Sequence, residues 1–315
     1  MPIKIVVEKK APVGPTEDDR KTHKKVRRKA LSARRELLKI DSDMATGVLS
    51  GNVSFLVGLR PLYELLKLTV YTGRLIGHNP VSTIVVAVSS AGKTECMKKM
   101  IASPYVLDTD DVTSRELSEK LKNRDMTHLV LYDLTSLFGH RGSTVKLSVN
   151  MLRRVIEEGL FTDSYSGQKI ANRHLGLITG IPPEDFAKDD VQHAFESGGF
   201  GTRFIIAKFD YDKKTVREAH HSVRDGLYED ESFEATPLIL PKDKARVVIP
   251  ENVTREIETL ALLVKRDEIG LRMHKQLRAL VAASAAERGR TEAAMKDFLR
   301  VEALSEFFTA VGRTL

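Results

Sequence analysis

The sequence predicts an α/β protein: a parallel sheet flanked by helices, preceded by a basic helical arm and followed by a helical C-terminal segment. Short β-branched apolar runs, such as the one over 84–88, alternate with stretches of helix formers, which is typical of parallel strands joined by helical crossovers. Residues 252–315 are almost all helix formers. With 42% apolar and 30% charged residues, the 315-residue chain has the composition of a globular protein of one or two domains.

The net charge of +7 is concentrated in one segment. Residues 1–40 hold thirteen Lys and Arg against five Asp and Glu, a net charge of +8, and the rest of the chain carries −1. Residues 21–40 predict an amphipathic basic helix. Because clustered positive charge is typical of polyanion binding, we expect nucleic-acid contacts from Lys24, Lys25, Arg27 and Arg28. The alternatives are a solvated helix with no specific ligand and a docking tail for another protein.

A strand, a loop and a helix over 82–100 form the centre of the sequence. The run 84–88 predicts a buried parallel strand, and a helix is predicted from Glu95 onward. Between them lies Ser89-Ser90-Ala91-Gly92-Lys93-Thr94. Small residues ending in Gly-Lys-Thr before a helix have the layout of a P-loop, whose backbone N–H groups bind phosphates. We therefore expect residues 89–95 to bind ATP, with Lys93 at the β- and γ-phosphates and Thr94 on Mg²⁺; the pattern departs from its usual form only at Ala87.

A later apolar run, 128–132, is followed directly by an acidic residue. Asp133 follows this predicted strand, and we expect the strand to lie beside the P-loop strand, so that Asp133 holds the water shell of the magnesium ion. Helices are predicted over 60–75 and 113–122, with a short strand at 105–107 between the P-loop helix and the second of these.

The rest of the chain predicts a helix over 145–159, a β-hairpin over 161–173 and buried strands over 175–181 and 205–209. The sequence Gly199-Phe200-Gly201-Thr202-Arg203 precedes the last strand. Residues 225–250 predict a linker, and Thr291 is expected to cap the last helix. The predicted domains are an arm over 1–45, a nucleotide-binding core over 46–225, and a linker with a helical lid over 226–315.

Cys96 is the single cysteine, which excludes an intrachain disulfide and fits a reducing setting. No apolar run reaches the roughly 20 residues of a membrane span, and the first ten residues lack a signal-peptide layout. We therefore expect a cytoplasmic or nucleoid-associated protein with no membrane contact.

Together, in this order, the motifs resemble the AAA+ P-loop ATPases over about residues 60–305. The hairpin between Glu158 and Leu175 is similar to the pre-sensor-1 insertion. That insertion marks the branch with minichromosome-maintenance helicases, enhancer-binding activators and replication ATPases of phages and plasmids. The segment 271–280 with Ala283-Ser284-Ala285 is similar to the minichromosome-maintenance lid. The resemblance implies ATP and Mg²⁺ as cofactors, a hexamer-like ring or a filament of identical subunits, and DNA as partner.

The resemblance also implies roles for individual residues of the ATP site. Asp133 corresponds to the Walker B acid, and Thr179 to sensor 1, which positions the attacking water. Arg203 is similar to an arginine finger, which completes a neighbour's site and neutralises transition-state charge. Arg272 is the expected sensor 2, with Lys275 one turn further along as the alternative.

Two further expectations concern charged side chains. Lys169 and Arg173 on the hairpin would contact DNA in a central channel. For Arg203 the alternative to a finger is an ordinary surface ion pair with Glu196 or Asp190.

The chain departs from the family at Leu134, where a glutamate usually polarises the nucleophilic water. The sequence therefore predicts slow turnover, with ATP acting as an assembly switch, or a substitute acid among Asp110, Asp111, Glu157 and Glu158. If Leu134 stands at the water position, Leu134→Glu is expected to raise the ATPase rate.

Three functions are compatible with these motifs. The first is an oligomeric, DNA-associated AAA+ motor or switch in replication, helicase loading or the life cycle of a phage or mobile element. The second is a protein-remodelling or regulatory ATPase that does not touch DNA. The third, a small-molecule P-loop kinase, is disfavoured by the predicted finger and lid, since a monomeric kinase needs no finger from a neighbour.

Overall fold

The computed structural model describes residues 57–101, 103–110, 112–121, 125–139, 142–162, 167, 169–196, 199–225, 238, 240–264 and 270–308. All of these residues belong to one compact unit. The predicted arm over 1–45 lies outside them, so its helix and the contacts of Lys24, Lys25, Arg27 and Arg28 stay predictions, as does the division into domains.

A parallel sheet forms the centre of the molecule. Its strands are β1 Ser82–Val86, β2 Val106–Thr109, β3 His128–Leu131, β6 Gly176–Ile181 and β7 Phe204–Lys208. They lie in the order β2-β3-β6-β1-β7, and every neighbouring pair is parallel. Every residue of β1, β3 and β6 is buried, which explains their almost uninterrupted apolar sequences. The predicted parallel α/β sheet is confirmed.

The two-stranded hairpin is also confirmed. It consists of β4 Phe161–Thr162 and β5 Lys169–Ile170, which pair antiparallel.

Helices flank the sheet and continue after it. In chain order they are α1 Arg60–Thr72, α2 Lys93–Lys98, α3 Ser114–Leu121, α4 Thr135–Phe138, α5 Gly142–Glu157, α6 Pro183–Phe186, α7 Asp189–Glu196, α8 Lys213–Arg224, α9 Glu251–Val264, α10 Leu271–Glu287 and α11 Met295–Leu304. The helices predicted over 60–75, 113–122 and 145–159 are present with shifted ends. None of the helices in the ranges given above is long and apolar enough to cross a membrane.

Two details of the helices differ from the sequence prediction. Helix α8 was not predicted, and none of its side chains is buried, so no apolar stripe marked it. The prediction that Thr291 caps the last helix was wrong. The N-cap of α11 is Ala294, whose N–H donates to the Asp297 carboxylate at 2.8 Å.

Phenylalanine rings fix the segment that leads into β7. Ile84, Leu131 and Ile206 belong to an apolar cluster that also contains the buried Phe195 and Phe200. The ring centroids of Phe195 and Phe200 lie 5.4 Å apart, a distance typical of favourable aromatic pairs. This packing holds α7 and the turn after it against the sheet.

Charged side chains join the C-terminal helices to α1. Arg300 on α11 is 5% exposed and pairs with Glu64 of α1 and Glu287 of α10. Lys67 pairs with the same two carboxylates, at 3.1 Å from Glu64 and 2.7 Å from Glu287. Since a buried charge is tolerated only when it is paired, this network fixes α10 and α11 on α1.

Candidate nucleotide-binding site

The loop between β1 and α2 has an unusual backbone. Ser90 has φ +64° and Gly92 has φ +73°, both in the left-handed region. Glycine adopts this region freely, but serine does so at a cost. Such strain is found mainly at functional sites. Ser89, Ser90 and Thr94 are exposed, and Ala91 is buried. Glu95 is half-buried, and its Oε1 lies 3.0 Å from Lys98 Nζ.

Lys93 turns back over the end of β1. Its Nζ donates to the carbonyl oxygens of Ala87 at 2.5 Å and Val88 at 2.9 Å. Burial lowers the pKa of the Lys93 ammonium, while the negative charges of Asp133 and Glu184 act in the opposite direction. The ammonium is therefore held by neutral acceptors at the carboxyl edge of the sheet, with two carboxylates nearby.

Gly180 near the end of β6 allows α2 to lie close to the sheet. A Cβ at this position would come within 3.1 Å of Met97 Cε, 3.2 Å of the Tyr132 carbonyl oxygen and about 3.5 Å of Lys93 Cδ. An added Cβ would crowd the Met97 side chain and the Tyr132 carbonyl oxygen, whereas its distance from Lys93 Cδ is that of an ordinary van der Waals contact. The glycine thus lets α2 and the chain before Asp133 lie close to β6.

Asp133 lies at the same edge, but its strand is not where we expected it. The prediction that β3 lies beside β1 was wrong, because β6 lies between them and pairs with both. After β1 the chain crosses to β2, leaving two strand positions between them in the sheet. Strand β6 later takes the position next to β1. At about 4.8 Å per strand, β3 is roughly 10 Å from β1. Asp133 is exposed, and its Oδ1 accepts from the Thr135 N–H at 2.9 Å.

Leu134 is fully buried in the apolar cluster on the sheet, and its N–H donates to the Gly180 carbonyl oxygen at 2.8 Å. A glutamate at this position would point into the core. Leu134 therefore does not stand at the position of the nucleophilic water, which was the condition for Leu134→Glu to raise the ATPase rate.

The four candidate substitute acids have different positions. Glu157 is paired with arginines, described below, and Glu158 pairs with Arg154 at 3.6 Å on the exposed side of α5. Asp110 follows β2, which lies three strands from β1, or roughly 14 Å. Asp111 lies outside the described residues.

Two residues near the loop were missed by the sequence reasoning. Glu184 follows β6, the direct neighbour of β1, and its charge acts on Lys93. Tyr211 donates its hydroxyl to the Ala91 carbonyl oxygen at 2.7 Å, and burial raises the pKa of Tyr211 to about 12. Neither residue belongs to a local motif. Glu184 directly follows Pro182-Pro183 at the end of a strand, and this position in the sequence could have indicated a side chain near the carboxyl edge of the sheet.

Thr179 lies inside the sheet, opposite Ile84 on one side and Leu131 on the other. Its side chain is fully buried, and Oγ1 has no hydrogen-bond partner among the described residues. Because side chains alternate along a strand, Thr179 faces away from the side of Gly180 that meets Lys93. Its sensor-1 role stays a prediction.

Arg203 and Arg272 lie together. Glu157 at the end of α5 pairs with Arg203 through Oε2, and with Arg272 through Oε1, at 2.9 Å from Nη2 and 3.0 Å from Nε. Arg272 Nη1 also donates to Thr202 Oγ1 at 3.1 Å. Gly199, with φ +68°, lies beside both arginines: its carbonyl oxygen accepts a hydrogen bond from Arg203 Nη1, and an added Cβ would be in ordinary contact with Nη1 of each arginine, at 3.4 Å and 3.5 Å.

This arginine pair is at the opposite edge of the sheet from the loop. Arg203 directly precedes β7, whose first residue, Phe204, is opposite Ser82 at the start of β1. The length of β1 from Ser82 to Val86 is about 13 Å at 3.3 Å per residue. The alternative prediction for Arg203 was a surface ion pair with Glu196 or Asp190. Among the described residues, Arg203 forms an ion pair with Glu157.

The predicted DNA residues of the hairpin differ in exposure. Lys169 is exposed on β5. Arg173 is half-buried, and its Nη2 donates to the Met126 carbonyl oxygen at 3.5 Å. Lys169 is thus the more accessible of the two.

Within the described ranges, no three His, Cys, Asp or Glu side chains come together as metal ligands. A magnesium ion would therefore depend on Thr94, Asp133 and the oxygens of a bound phosphate. Such a shared coordination is usual for Mg²⁺, which keeps several waters and takes few protein ligands.

Comparison with models of known protein families gives no match, and comparison with curated proteins gives none either.

Proposed function

We propose that this protein binds ATP with Mg²⁺ at residues 89–95, in the loop after β1 and at the start of α2, and acts as an oligomeric AAA+-type ATPase on DNA. The observation that carries the proposal is the position of Lys93. A lysine at the start of a helix, at the carboxyl edge of a parallel sheet, stands where phosphates are bound in P-loop proteins.

The strand order supports the same site. From β1 the chain crosses to β2 on one side, while from β6 it crosses past β1 to β7 on the other. The loop after β1 is therefore at the point where the direction of the connections reverses. Ligands of open α/β sheets bind at such switch points, outside the carboxyl ends of the strands.

The residues of the chain would act as follows. Lys93 exchanges its two carbonyl acceptors for phosphate oxygens, a stronger, charge-assisted contact. Thr94 and Asp133 hold Mg²⁺, which when bound neutralises charge on the phosphates. Tyr211 keeps the loop in place through Ala91.

Turnover would be slow, because the position after Asp133 is a buried leucine. Removal of a positioned general base typically costs 10²–10⁴ in rate. Glu184 and Asp133 are described carboxylates whose charges act on Lys93, and since Asp133 is assigned to Mg²⁺, Glu184 is the candidate base for any residual hydrolysis. ATP would then serve mainly to bring subunits together, with Arg203 acting on the nucleotide of a neighbour.

DNA is proposed as the partner because of the +8 charge of residues 1–40 and the exposed Lys169. The second candidate, a protein-remodelling ATPase, is favoured only if the basic segment docks on a protein. Salt-dependent binding to DNA separates the two.

Titration of a fluorescent ATP analogue tests the nucleotide site. Lys93→Ala should raise its Kd about 10- to 150-fold, since a charge-assisted phosphate contact contributes about 1.5–3 kcal/mol. Lys98→Ala is the matched control, because Lys98 lies on the same helix and pairs with Glu95. Equal affinity of all three proteins would overturn the proposal.

A further inference from the structure

Helix α8 concentrates positive charge on one of its faces. The helix holds four Lys and Arg and one Glu, a net charge of +3, whereas residues 41–315 together carry −1. Because they are spaced three and four residues apart, four exposed side chains share one helix face. The members of this basic face are Lys213, Arg217, His220 and Arg224. At 1.5 Å per residue, the basic face is about 16 Å long.

Two cations of the basic face are not neutralised by the described part of the chain. Lys214, which lies on a neighbouring side of the helix, is 3.7 Å from Glu218, and Arg224 pairs with the next residue at 2.8 Å. Lys213 and Arg217 form no ion pair with any described residue. Their charges are therefore available to an anion from another molecule.

The start of α8 is fixed on the protein, although none of the side chains of the helix is buried. The Asp212 carboxylate caps the helix by accepting from the Thr215 N–H at 2.7 Å, and Tyr211 donates to the Ala91 carbonyl oxygen at 2.7 Å. The half-buried side chains of the helix lie opposite the basic face, and they are Thr215, Ala219 and Ser222. The helix thus presents the basic face to solvent from a fixed position beside the nucleotide-binding loop.

The composition of α8 favours a polyanion over a membrane or an apolar groove as the partner. Its apolar residues are all small, and they are Val216, Ala219 and Val223. Helices that bind a membrane interface or an apolar groove present large anchors such as Trp, Phe and Leu. A DNA duplex carries about one negative charge per 1.7 Å of its axis, so a basic face of this length can contact several phosphates.

We propose that α8 binds the phosphate backbone of DNA, with Lys213 and Arg217 as its main contacts. This inference rests on the DNA-binding part of the proposed function, and it adds a surface on the folded core to the basic segment 1–40 and the hairpin. Contacts of this kind position a duplex without reading its base sequence. Because Tyr211 joins the start of α8 to the loop after β1, DNA bound here lies beside the nucleotide site.

Fluorescence anisotropy of a labelled DNA duplex, titrated with the full-length protein at several salt concentrations, tests the contact. The double variant Lys213→Gln with Arg217→Gln should reduce the magnitude of the slope of log K against log salt by about 1.8, or about 0.9 per phosphate contact. Between about 50 and 200 mM salt, its affinity should therefore fall about tenfold less than that of the wild type. The matched control, Lys188→Gln with Arg255→Gln, also removes two exposed cations, each paired with a nearby acid, and should keep the wild-type slope.

The outcomes separate this inference from the proposed function. If the wild-type protein binds no duplex, the DNA part of the proposed function fails, and the inference fails with it. If the wild type binds and the α8 variant keeps the slope of the control, the inference alone is overturned. Binding to vesicles of anionic lipid that requires Lys213 and Arg217, with DNA binding unchanged in the variant, would assign the basic face to a membrane and also overturn it.

Hydrogen exchange of the wild-type protein gives a check that needs no variant. Amides of a helix without buried side chains exchange readily in the free protein, so bound DNA should slow the exchange of α8. Exchange over 213–224 that stays the same when the duplex is bound would reject the contact, even if the double variant failed to fold by circular dichroism.

Discussion

The replacement Leu134→Glu gives the sharpest test of the site geometry. Leu134 is fully buried in the apolar cluster on the sheet. Removal of a buried leucine side chain costs about 2–5 kcal/mol, and an unpaired carboxylate in the same place adds several kcal/mol more. Because domains are stable by only about 5–15 kcal/mol, we expect the variant to be largely unfolded or close to it at pH 7.

Urea unfolding followed by circular dichroism measures this effect. The apolar surroundings would raise the pKa of the introduced carboxyl above its unfolded value, so the folded state favours the protonated form. The stability deficit should therefore be smallest at low pH and grow as pH rises through the folded pKa. Leu134→Met should cost less than about 1.5 kcal/mol. Leu147→Glu, at a leucine that is 71% exposed, should change stability by less than about 0.5 kcal/mol. A Leu134→Glu protein that is as stable as Leu147→Glu and hydrolyses ATP faster than wild type would refute the buried placement.

Three further expectations follow from separate contacts. Tyr211→Phe removes the hydroxyl bond to Ala91 and should raise the Kd for an ATP analogue roughly two- to tenfold, for a bond of about 0.5–1.5 kcal/mol; an unchanged Kd would show that the bond does not orient the loop. Arg300→Gln leaves Glu64 and Glu287 without their main partner and should cost about 3–5 kcal/mol in urea unfolding, whereas Arg255→Gln on the surface of α9 should cost almost nothing. Deletion of residues 1–40 should flatten the slope of log K for DNA against log salt by about 0.9 per lost phosphate contact, and a slope that stays the same would exclude the segment as the contact.

The sequence predicted the sheet well because its strands are buried on both faces. The runs at 84–88, 128–132 and 175–181 are apolar with little alternation, and they correspond to β1, β3 and β6. The order of the strands was not predictable from these runs. Since an apolar strand fits any central position, nothing local indicated that β6 inserts between β1 and β3.

The candidate site was only partly predictable, for a related reason. The loop with Lys93 is contiguous in the chain, so its pattern identifies it. Glu184 and Tyr211 come to the loop from distant segments, and Glu157 meets Arg272 across 115 positions. Such contacts depend on crossovers and on how helices pack, which a single sequence does not specify.

Hydrogen exchange with mass spectrometry tests the central claim most directly, because it locates the nucleotide on the chain. With Mg²⁺ and a non-hydrolysable ATP analogue, amides of residues 88–94 should exchange about tenfold more slowly in the wild-type protein. The Lys93→Ala protein should show no such change, and the β4–β5 hairpin should be unaffected in both. Protection of another segment, with unchanged exchange over 88–94, would contradict the proposed site.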